Sequence, residues 1–347
     1  MTISGSQNSL TTTDISGHYS FTGLEAGGNY TVTPARFAYS FNPQILSFSN
    51  LTGNQTGNFN GMRIGTPLSG NNIFDFDGDG RTDVAVFRPS NGYWFTLQST
   101  AGYRATQFGT SGDQIAPGDY DGDGRTDVAV FRPSNGFWYI TDSSTGGFRA
   151  VQFGQAGDLP AAGDYDADGK TDIAVFRPET GIFYLLHSSD DSFHFHQWGQ
   201  QGDLPVMGDY DGDAKTDFAV FRPSIGTFYI LKSSKGGVVG QQFGLMGDKP
   251  IAADFDGDGK TDITVFRPET GLWYMLQSSN NSFQAIEWGT SGDIASSGDY
   301  DGDGKWDVAV FRPSTGTFYI LPSTNNALKT EQFGANGDVP VPSAYVP

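Results

Sequence analysis

The feature that constrains this chain most is a nine-residue acidic stretch that occurs six times. Its first copy is Asp75-Phe-Asp77-Gly-Asp79-Gly-Arg81-Thr-Asp83. The later copies begin 44 or 45 residues apart, at Asp119, Asp164, Asp209, Asp254 and Asp299. A fixed period in this range indicates one supersecondary unit copied along the chain, and each unit needs its neighbours to bury its apolar face. The sequence therefore predicts a repeat architecture.

Within each stretch, oxygen atoms recur at positions that suit a hard cation. Carboxylates stand at positions 1, 3, 5 and 9, and position 7 offers a backbone carbonyl. Position 6 is glycine except in the fourth copy, where Ala214 makes that site the weakest prediction. Ca²⁺ takes six to eight oxygen ligands, whereas Mg²⁺ prefers a tighter octahedron and keeps water. An acidic turn is the alternative, since Asp and Gly are common turn formers, but six complete copies favour calcium.

The predicted ligands are the four aspartates of each stretch and the backbone carbonyl of the basic residue at position 7. They are Asp75, Asp77, Asp79, Arg81, Asp83, Asp119, Asp121, Asp123, Arg125, Asp127, Asp164, Asp166, Asp168, Lys170, Asp172, Asp209, Asp211, Asp213, Lys215, Asp217, Asp254, Asp256, Asp258, Lys260, Asp262, Asp299, Asp301, Asp303, Lys305 and Asp307. About six Ca²⁺ are therefore expected, and six ions would change the formal net charge from -19 to -7.

Composition argues against several classes of protein. The 20 basic residues form no basic run, so nucleic acid binding is disfavoured. The absence of cysteine excludes disulfides and thiolate metal sites. No apolar run is long enough to span a bilayer, and Met1–Ser20 lacks a signal-peptide core. Weak multi-aspartate calcium sites fill at extracellular calcium concentrations, so we expect an extracellular or cell-surface location.

Each repeat unit predicts four short strands. In the second copy, strand-like segments begin at Pro117, Asp127, Phe137 and Phe148, with the acidic loop or a Ser/Asn/Gly-containing turn between them. No helical period of useful length occurs. The predicted fold is therefore all-β, with four-stranded antiparallel sheets repeated around an axis as the blades of a β-propeller. A β-solenoid is the alternative, although its repeats are usually shorter and capped.

These residues resemble the FG-GAP/VCBS repeat family, whose calcium-bearing blades also occur in integrin α-subunit propellers and in some fungal lectins. The resemblance covers about residues 70–347. It implies that the aspartates of each loop bind Ca²⁺ in a turn between the first two strands of a blade. The scaffold serves adhesion, sugar binding and enzyme accessory roles, so the resemblance does not by itself give a function.

The first 62 residues have a different composition, rich in Ser, Thr, Asn and Gly, and alternating runs beginning at His18, Asn29 and Gln44 predict strands. The stretch Thr12–Pro34 resembles the carboxypeptidase-regulatory-like and CnaB-like β-sandwich modules of bacterial surface proteins. Such modules open with a further strand or two. Either the sequence is part of a longer protein, or a strand is supplied from elsewhere.

The predicted organisation is a small, incomplete β-sandwich-like module at 1–62, a linker at 63–72 and the calcium-binding propeller at 73–347. Six acidic loops predict six blades. The tail Gly337–Pro347 begins a further unit without an acidic loop and is the expected ring closer. It joins the first blade, whose opening strand around Ile73 is short, or seeds a seventh blade completed by N-terminal strands. The six-bladed form is favoured.

Three other patterns recur or stand out. An arginine in each Phe-Arg-Pro triplet and an aspartate in each Gly-Asp between units predict an ion pair rather than an anion-binding ring. Adjacent aromatic residues on the third strands should alternate between the core and the surface, where exposed rings could bind carbohydrate. His194 and His196 share a strand face and could hold zinc with a carboxylate, but no third ligand is evident.

No cluster of residues breaks the repeat as a catalytic constellation would. We therefore expect a non-catalytic, extracellular, calcium-stabilised binding or adhesion protein, whose partner is a protein or glycan on a cell surface or matrix. The sequence is also compatible with three alternatives. They are a lectin with sugar sites at blade edges, a self-associating structural subunit of a surface assembly or fibre, and an accessory module of an enzyme.

Overall fold

A computed structural model describes most of the chain, namely residues 1–11, 18–34, 39–63, 74–234 and 237–346, with backbone alone at 39–42 and 60–63. The chain divides into two compact units, Met1–Thr66 and Pro67–Pro347. Arg63 of the predicted linker is the last residue of a strand, and the remainder of that linker lies outside the described residues. No helix in the described ranges has the length and hydropathy to cross a membrane.

The first unit contains a four-stranded antiparallel sheet in the order β2-β1-β3-β5 and a two-stranded pair of β4 with β6. The strands are β1 Thr2–Gly5, β2 Ser9–Leu10, β3 Tyr30–Thr33, β4 Tyr39–Asn42, β5 Leu46–Phe48 and β6 Asn60–Arg63. Ile3, Tyr30 and Val32 are its buried apolar core. Ile3 pairs directly with Val32 across the sheet, so the alternation of the strands places both side chains on the buried face.

One strand predicted in this unit is absent, while two others form. The runs beginning at Asn29 and Gln44 contain β3 and β5, but residues 18–22 are not in a strand. Tyr19 and Phe21 still pack against the core, and the Tyr19 hydroxyl donates a hydrogen bond to the Gly57 carbonyl oxygen at 2.7 Å. The alternating pattern of this run therefore reports the packing of these two side chains rather than a strand.

The second unit contains six sheets of four strands each, all antiparallel. Blade 1 consists of β30 Val339–Pro340, β7 Val84–Arg88, β8 Tyr93–Gln98 and β9 Gly102–Gln107. Blades 2 to 6 take their strands in chain order. The first strands are β10 Gln114–Ile115, β14 Leu159–Pro160, β18 Leu204–Pro205, β22 Lys249–Ala253 and β26 Ile294–Ala295. The second strands are β11 Val128–Arg132, β15 Ile173–Arg177, β19 Phe218–Arg222, β23 Asp262–Arg267 and β27 Val308–Arg312. The third strands are β12 Phe137–Thr141, β16 Ile182–Leu186, β20 Thr227–Leu231, β24 Leu272–Leu276 and β28 Thr317–Leu321. The fourth strands are β13 Phe148–Gln152, β17 Phe193–Gln197, β21 Val238–Gln242, β25 Phe283–Glu287 and β29 Lys329–Gln332.

The C-terminal tail closes the ring at blade 1, as the six-bladed prediction required. Val339 pairs with Phe87 and Pro340 with Val86, so the first strand of blade 1 comes from the opposite end of the repeat region. A short 3₁₀ helix, Val341–Ser343, follows that strand. The predicted opening strand around Ile73 lies outside the described residues. All four strands of this blade come from the second unit, so the seven-bladed alternative is wrong.

Burial decreases from the inner to the outer strands of each blade. The second strands are continuous apolar runs such as Val84-Ala-Val-Phe87, and they are buried on both faces between neighbouring blades. The third strands alternate, so Trp138 is fully buried while its neighbours Phe137 and Tyr139 are half-buried. This alternation confirms that only half of the repeated aromatic residues fill the core. The fourth strands are mostly exposed and carry polar residues.

Candidate metal centre

The aspartate at position 1 shapes each acidic loop by accepting hydrogen bonds from the loop backbone. The N–H groups of Gly78 and Gly80 donate to the two carboxylate oxygens of Asp75 at 2.6 and 2.8 Å. The same two bonds occur in the other five loops. Asp and Gly at this spacing favour such a turn because the carboxylate replaces the missing backbone acceptor.

The aspartate at position 9 connects the loop to the distant turn between the third and fourth strands. Asp83 is 1% exposed and accepts hydrogen bonds from the N–H groups of Phe76 at 2.9 Å and Ser99 at 2.7 Å. Its counterparts in the other blades make the same two contacts. This carboxylate is therefore held in place by backbone donors from both sides.

Three of the four predicted carboxylates converge. One oxygen each from positions 1, 3 and 9 lie within 4.8 Å of one another, as in the groups Asp75/Asp77/Asp83, Asp119/Asp121/Asp127, Asp164/Asp166/Asp172, Asp209/Asp211/Asp217 and Asp254/Asp256/Asp262. Positions 1 and 9 are buried and position 3 is half-buried. The fourth loop, which the sequence made least certain, has the same group as the others.

The aspartate at position 5 is not in these groups and points to a serine instead. The Ser99 hydroxyl donates to Asp79 at 2.6 Å, and the N–H of Arg81 at position 7 donates to the same carboxylate at 3.0 Å. The corresponding residues Asp123, Asp168, Asp213, Asp258 and Asp303 accept a serine hydroxyl in the same way. Position 5 therefore serves first as a bridge between the loop and the outer turn of the blade.

A repeated pair of hydroxyl residues in this outer turn was not singled out from the sequence. The second member of each pair donates to the position 3 carboxylate, as Thr100 does to Asp77 at 2.7 Å. The pairs are Ser99-Thr100, Ser143-Ser144, Ser188-Ser189, Ser233-Ser234, Ser278-Ser279 and Ser323-Thr324. The pairs recur at the repeat period, and this recurrence could have identified them from the sequence. Their link to the metal loop was not evident, because the turn lies 16 to 24 residues from the aspartates that it contacts.

The donor set fits a divalent cation. Asp77 Oδ1 and Asp211 Oδ1 are buried oxygen atoms of position 3 that have no hydrogen-bond partner. Burial raises the pKa of Asp75 to about 6 and that of Asp83 to about 7, and the charges of neighbouring loop carboxylates raise both pKa values to a lesser extent. A hard cation bound among these oxygens would offset that cost, and carboxylate oxygens are the ligands that Ca²⁺ prefers.

Neighbouring loops are joined head to tail around the ring. The N–H at position 8 of each loop donates to the position 1 carbonyl oxygen of the preceding loop at 2.6 to 2.8 Å. The six bonds run from Thr82 to Asp299, Thr126 to Asp75, Thr171 to Asp119, Thr216 to Asp164, Thr261 to Asp209 and Trp306 to Asp254. Because each bond joins residues at or next to candidate metal ligands, the shape of one loop depends on the next.

Replacing one position 3 aspartate should remove one ion. We expect Asp121→Ala to bind one Ca²⁺ fewer than the unchanged chain in native mass spectrometry. With free Ca²⁺ at about 100 times Kd, that loss should lower the free energy of unfolding by about 2–3 kcal/mol. Asp142→Ala is the matched control, because Asp142 lies outside the loops in an exposed ion pair with Arg149. Equal effects of the two changes would identify the loops as ordinary turns.

Two loops place alanine where the backbone conformation favours glycine. Ala167 at position 4 has φ 66° and Ala214 at position 6 has φ 69°, and other loops have glycine there. The N–H of Ala214 still donates to Asp209 at 2.8 Å, so the loop keeps its shape. A left-handed conformation costs a non-glycine residue about 1–2 kcal/mol. The fourth loop is therefore strained but complete.

This strain predicts opposite effects for two substitutions at the same loop position. Ala214→Gly should raise the free energy of unfolding by about 1 kcal/mol, and Gly124→Ala in the second loop should lower it by about the same amount. A Cβ at Gly124 would meet no atom within 4 Å, so only the backbone conformation changes. Denaturant unfolding in saturating Ca²⁺ measures both, and a loss of stability in Ala214→Gly would contradict the strain argument.

The repeated arginines form the predicted ion pairs, and the pairs lie within blades. Arg132 donates through Nε and Nη2 to both oxygens of Asp113 at 2.7 and 2.8 Å, which joins the second strand to the start of the first. The Arg132 guanidinium also lies 4.3 Å from the centre of the Tyr139 ring. The other pairs are Arg88–Asp338, Arg177–Asp158, Arg222–Asp203, Arg267–Asp248 and Arg312–Asp293. These contacts occupy the guanidinium groups, so the anion-ring alternative loses support.

An exposed apolar residue recurs once per blade on or beside the fourth strand. These six residues, which we call the outer belt, are 57–63% exposed and spaced 45 residues apart: Tyr103, Phe148, Phe193, Val238, Phe283 and Leu328. The three phenylalanines each stack on a tyrosine of the third strand, as Phe148 does on Tyr139 with ring centres 6.3 Å apart. At these three places the belt thus presents an aromatic face backed by a half-buried tyrosine.

The histidines considered for zinc each have an aromatic neighbour. His196 stacks on Phe218 with ring centres 4.8 Å apart, and burial lowers its pKa. His194 stacks on His187 at 4.2 Å and contacts the Ser192 hydroxyl at 2.8 Å. These contacts account for both rings through packing.

Six four-stranded blades in a ring closed by the C-terminal strand, each with one aspartate-rich loop, define a six-bladed β-propeller with acidic loops. The family model of the FG-GAP-like repeat matches this propeller in three places, residues 75–130, 119–175 and 254–310. This match confirms the resemblance inferred for the propeller, and the resemblance of the N-terminal module stays a prediction. No curated protein matches the chain in sequence.

Several solved structures are similar in fold at low sequence identity. A streptogramin B lyase is 9% identical, with a TM-score of 0.49 over 74% of this chain and 84% of that one. Virginiamycin B lyase from Staphylococcus aureus is 10% identical, with a TM-score of 0.46 over 74% and 86%. A functionally unknown protein from Desulfotomaculum acetoxidans is 14% identical, with a TM-score of 0.45 over 73% and 80%. Similarity at this level does not extend to activity.

Proposed function

We propose that the chain is a non-catalytic, extracellular binding or adhesion module whose propeller is stabilised by about six Ca²⁺. The observation that carries the proposal is the recurrence of the three-carboxylate group at positions 1, 3 and 9, with its hydrogen bonds to the outer turn, from blade to blade. A feature repeated in this way serves the scaffold, whereas chemistry needs an asymmetric group of residues. FG-GAP-like repeats, which are typical of extracellular proteins, support the location.

Bound Ca²⁺ would supply positive charge between carboxylates that otherwise repel one another. The residues that would hold it are the aspartates at positions 1, 3 and 9, whose orientation the loop N–H groups and the outer-turn hydroxyls determine. Position 5 and the position 7 carbonyl stay predicted ligands. These contacts join the acidic loop between the first two strands to the turn between the third and fourth strands. A bound ion would therefore stabilise the end of the blade at which all four strands are connected.

The metal part of this proposal is tested by counting ions. Purified protein dialysed against Ca²⁺ and then passed through a desalting column should retain about six Ca²⁺ per chain by elemental analysis. Mg²⁺ at the same concentration should not displace them, because Mg²⁺ needs a tighter octahedron. Retention of no ion, or preference for Mg²⁺, would contradict the proposal.

The outer belt is the proposed contact surface. Exposed apolar side chains stand at six equivalent places, one on or beside the fourth strand of each blade. A protein or glycan partner on a cell surface or matrix would meet several blades at once, and repeated weak contacts would add through multivalency.

Carbohydrate binding is a second candidate, and the stacked phenylalanines specifically favour it. Aromatic faces held rigid by a tyrosine behind them can stack against the apolar side of a sugar ring at low entropic cost. A glycan array probed with the calcium-loaded chain should then show binding that Phe148→Ser and Phe283→Ser abolish. Val238→Ser is the matched control at one of the two aliphatic belt positions and should leave glycan binding unchanged.

If no glycan binds, the belt would serve a protein surface or self-association. Gel filtration and electron microscopy at several protein concentrations distinguish these two cases. Oligomers or fibres that the belt substitutions dissolve would favour the structural-subunit alternative, whereas a stable monomer would favour an external protein partner or an accessory role beside an enzyme.

A further inference from the structure

A second feature of the propeller is independent of the metal loops. A pocket of about 290 Å³ opens among the first strands of neighbouring blades and the C-terminal tail. Its walls are mainly apolar and include Ile115, Leu159, Pro160, Pro205 and Met207. Small-molecule sites usually enclose about 300–1,000 Å³ and have mostly apolar walls with a few polar groups. The pocket lies near the lower limit of that range.

One polar residue of this pocket, Gln114, differs from the residues at the equivalent positions of the other blades. Gln114 lines the pocket, and its buried Oε1 atom has no hydrogen-bond partner. The equivalent positions of other first strands are mostly aliphatic, namely Leu159, Leu204, Ile294 and Val339, with Lys249 as the other exception. A buried acceptor without a partner costs free energy that a ligand with a donor would recover. Gln114 therefore favours a ligand that carries a hydrogen-bond donor.

The ligand should carry no net charge. Asp113 also lines the pocket, but both of its carboxylate oxygens accept hydrogen bonds from Arg132 at 2.7 and 2.8 Å. Its charge is thereby compensated within the blade. The tail contributes Tyr345, whose hydroxyl donates to the Pro117 carbonyl oxygen at 2.6 Å. The Gln114 oxygen is thus the free acceptor, set in an otherwise apolar wall.

We propose that this pocket binds a small, neutral, largely apolar molecule bearing one N–H or O–H donor, which donates to Gln114 Oε1. This site goes beyond the proposed binding or adhesion function and does not depend on it. Unlike the metal loops, the pocket is not repeated from blade to blade, because glutamine stands at this strand position in blade 2 alone and the chain has a single C-terminal tail.

Indole and 1-methylindole are suitable probes because they differ in one donor. Titration of the calcium-loaded full chain, followed by saturation-transfer NMR and calorimetry, should show indole binding with Kd below about 5 mM. The 1-methylindole should bind about tenfold more weakly, since it cannot satisfy the buried oxygen. Absence of indole binding, or equal affinity for the two probes, would overturn the proposal.

Two variants locate the site. Gln114→Leu introduces the residue that equivalent strands already carry, so it should fold normally and weaken indole about tenfold while leaving 1-methylindole unchanged. Leu159→Trp should fill the pocket and abolish binding of both probes. Leu204→Trp is its matched control, because Leu204 holds the equivalent position in the next blade and does not line the pocket. Binding that survives Leu159→Trp, or that both tryptophan variants reduce equally, would refute this location.

Discussion

Removal of Ca²⁺ should lower the melting temperature by tens of degrees or unfold the propeller altogether. In five of the loops, one oxygen atom from each of three carboxylates lies within 4.8 Å of the others, and two of the three residues are buried, so such a loop without an ion is destabilised by repulsion and desolvation. When the free Ca²⁺ concentration is about 100 times Kd, one bound ion adds about 2.7 kcal/mol to the free energy of unfolding. Six such sites together match or exceed the net stability of an ordinary domain, which is about 5–15 kcal/mol.

Calorimetry with and without excess EDTA measures this effect. Readdition of Ca²⁺ should restore the original melting temperature, and Mg²⁺ at equal concentration should restore much less. The ring of hydrogen bonds between loops further predicts that the loss is steep over a narrow range of free Ca²⁺, because each loop helps to shape the next. An unchanged melting curve in EDTA, with no metal detected by elemental analysis, would show that calcium does not stabilise the propeller.

Deletion of residues 338–347 should open the ring even though every acidic loop is intact. The deletion removes the strand that pairs with β7, the bidentate contact of Asp338 with Arg88, and the half-buried Tyr345. An open ring exposes the backbone groups of β7 and the apolar surfaces between blades 1 and 6. We therefore expect aggregation, or melting far below that of the complete chain, in size-exclusion and thermal-unfolding measurements.

Two controls separate closure from a general loss of contacts. Deletion of residues 1–66 removes the other compact unit and should leave a folded, calcium-binding ring. Asp338→Ala removes the carboxylate that pairs with Arg88, and Asp203→Ala removes the equivalent carboxylate that pairs with Arg222. Only Asp338 lies where the two ends of the ring meet, so Asp338→Ala should lower the melting temperature more than Asp203→Ala does. If the tail deletion leaves stability unchanged, the ring is closed in some other way.

Much of this architecture could be predicted because it is encoded locally. The nine-residue loop contains its own turn: the position 1 aspartate accepts N–H groups three and five residues later, so the loop shape requires no distant partner. The same holds for the four short strands and turns of each unit. Because the same local pattern occurs six times at a fixed period, the number of blades and the positions of the aspartates could be predicted from the sequence.

Predictions were less successful wherever the outcome depended on a partner far along the chain. Residues 18–22 alternate like a strand but do not form one, although the side chains of Tyr19 and Phe21 pack against the core. The aspartates at positions 3, 5 and 9 look equivalent in sequence, but Asp79 turns to Ser99 while Asp77 and Asp83 join the metal group. That choice is made by the outer turn, whose position is known only after four strands have paired.

By itself, the sequence determined an all-β repeat with six acidic loops, since residue types at fixed short spacings decide turns and strands through local sterics and hydrogen bonds. The tertiary structure decided which oxygens converge, which blade the tail completes and which side chains stay exposed. Arg88 and Asp338 illustrate the difference, because their pairing spans 250 residues. Such contacts depend on the ring closing on itself, and no local pattern specifies the geometry with which distant surfaces meet.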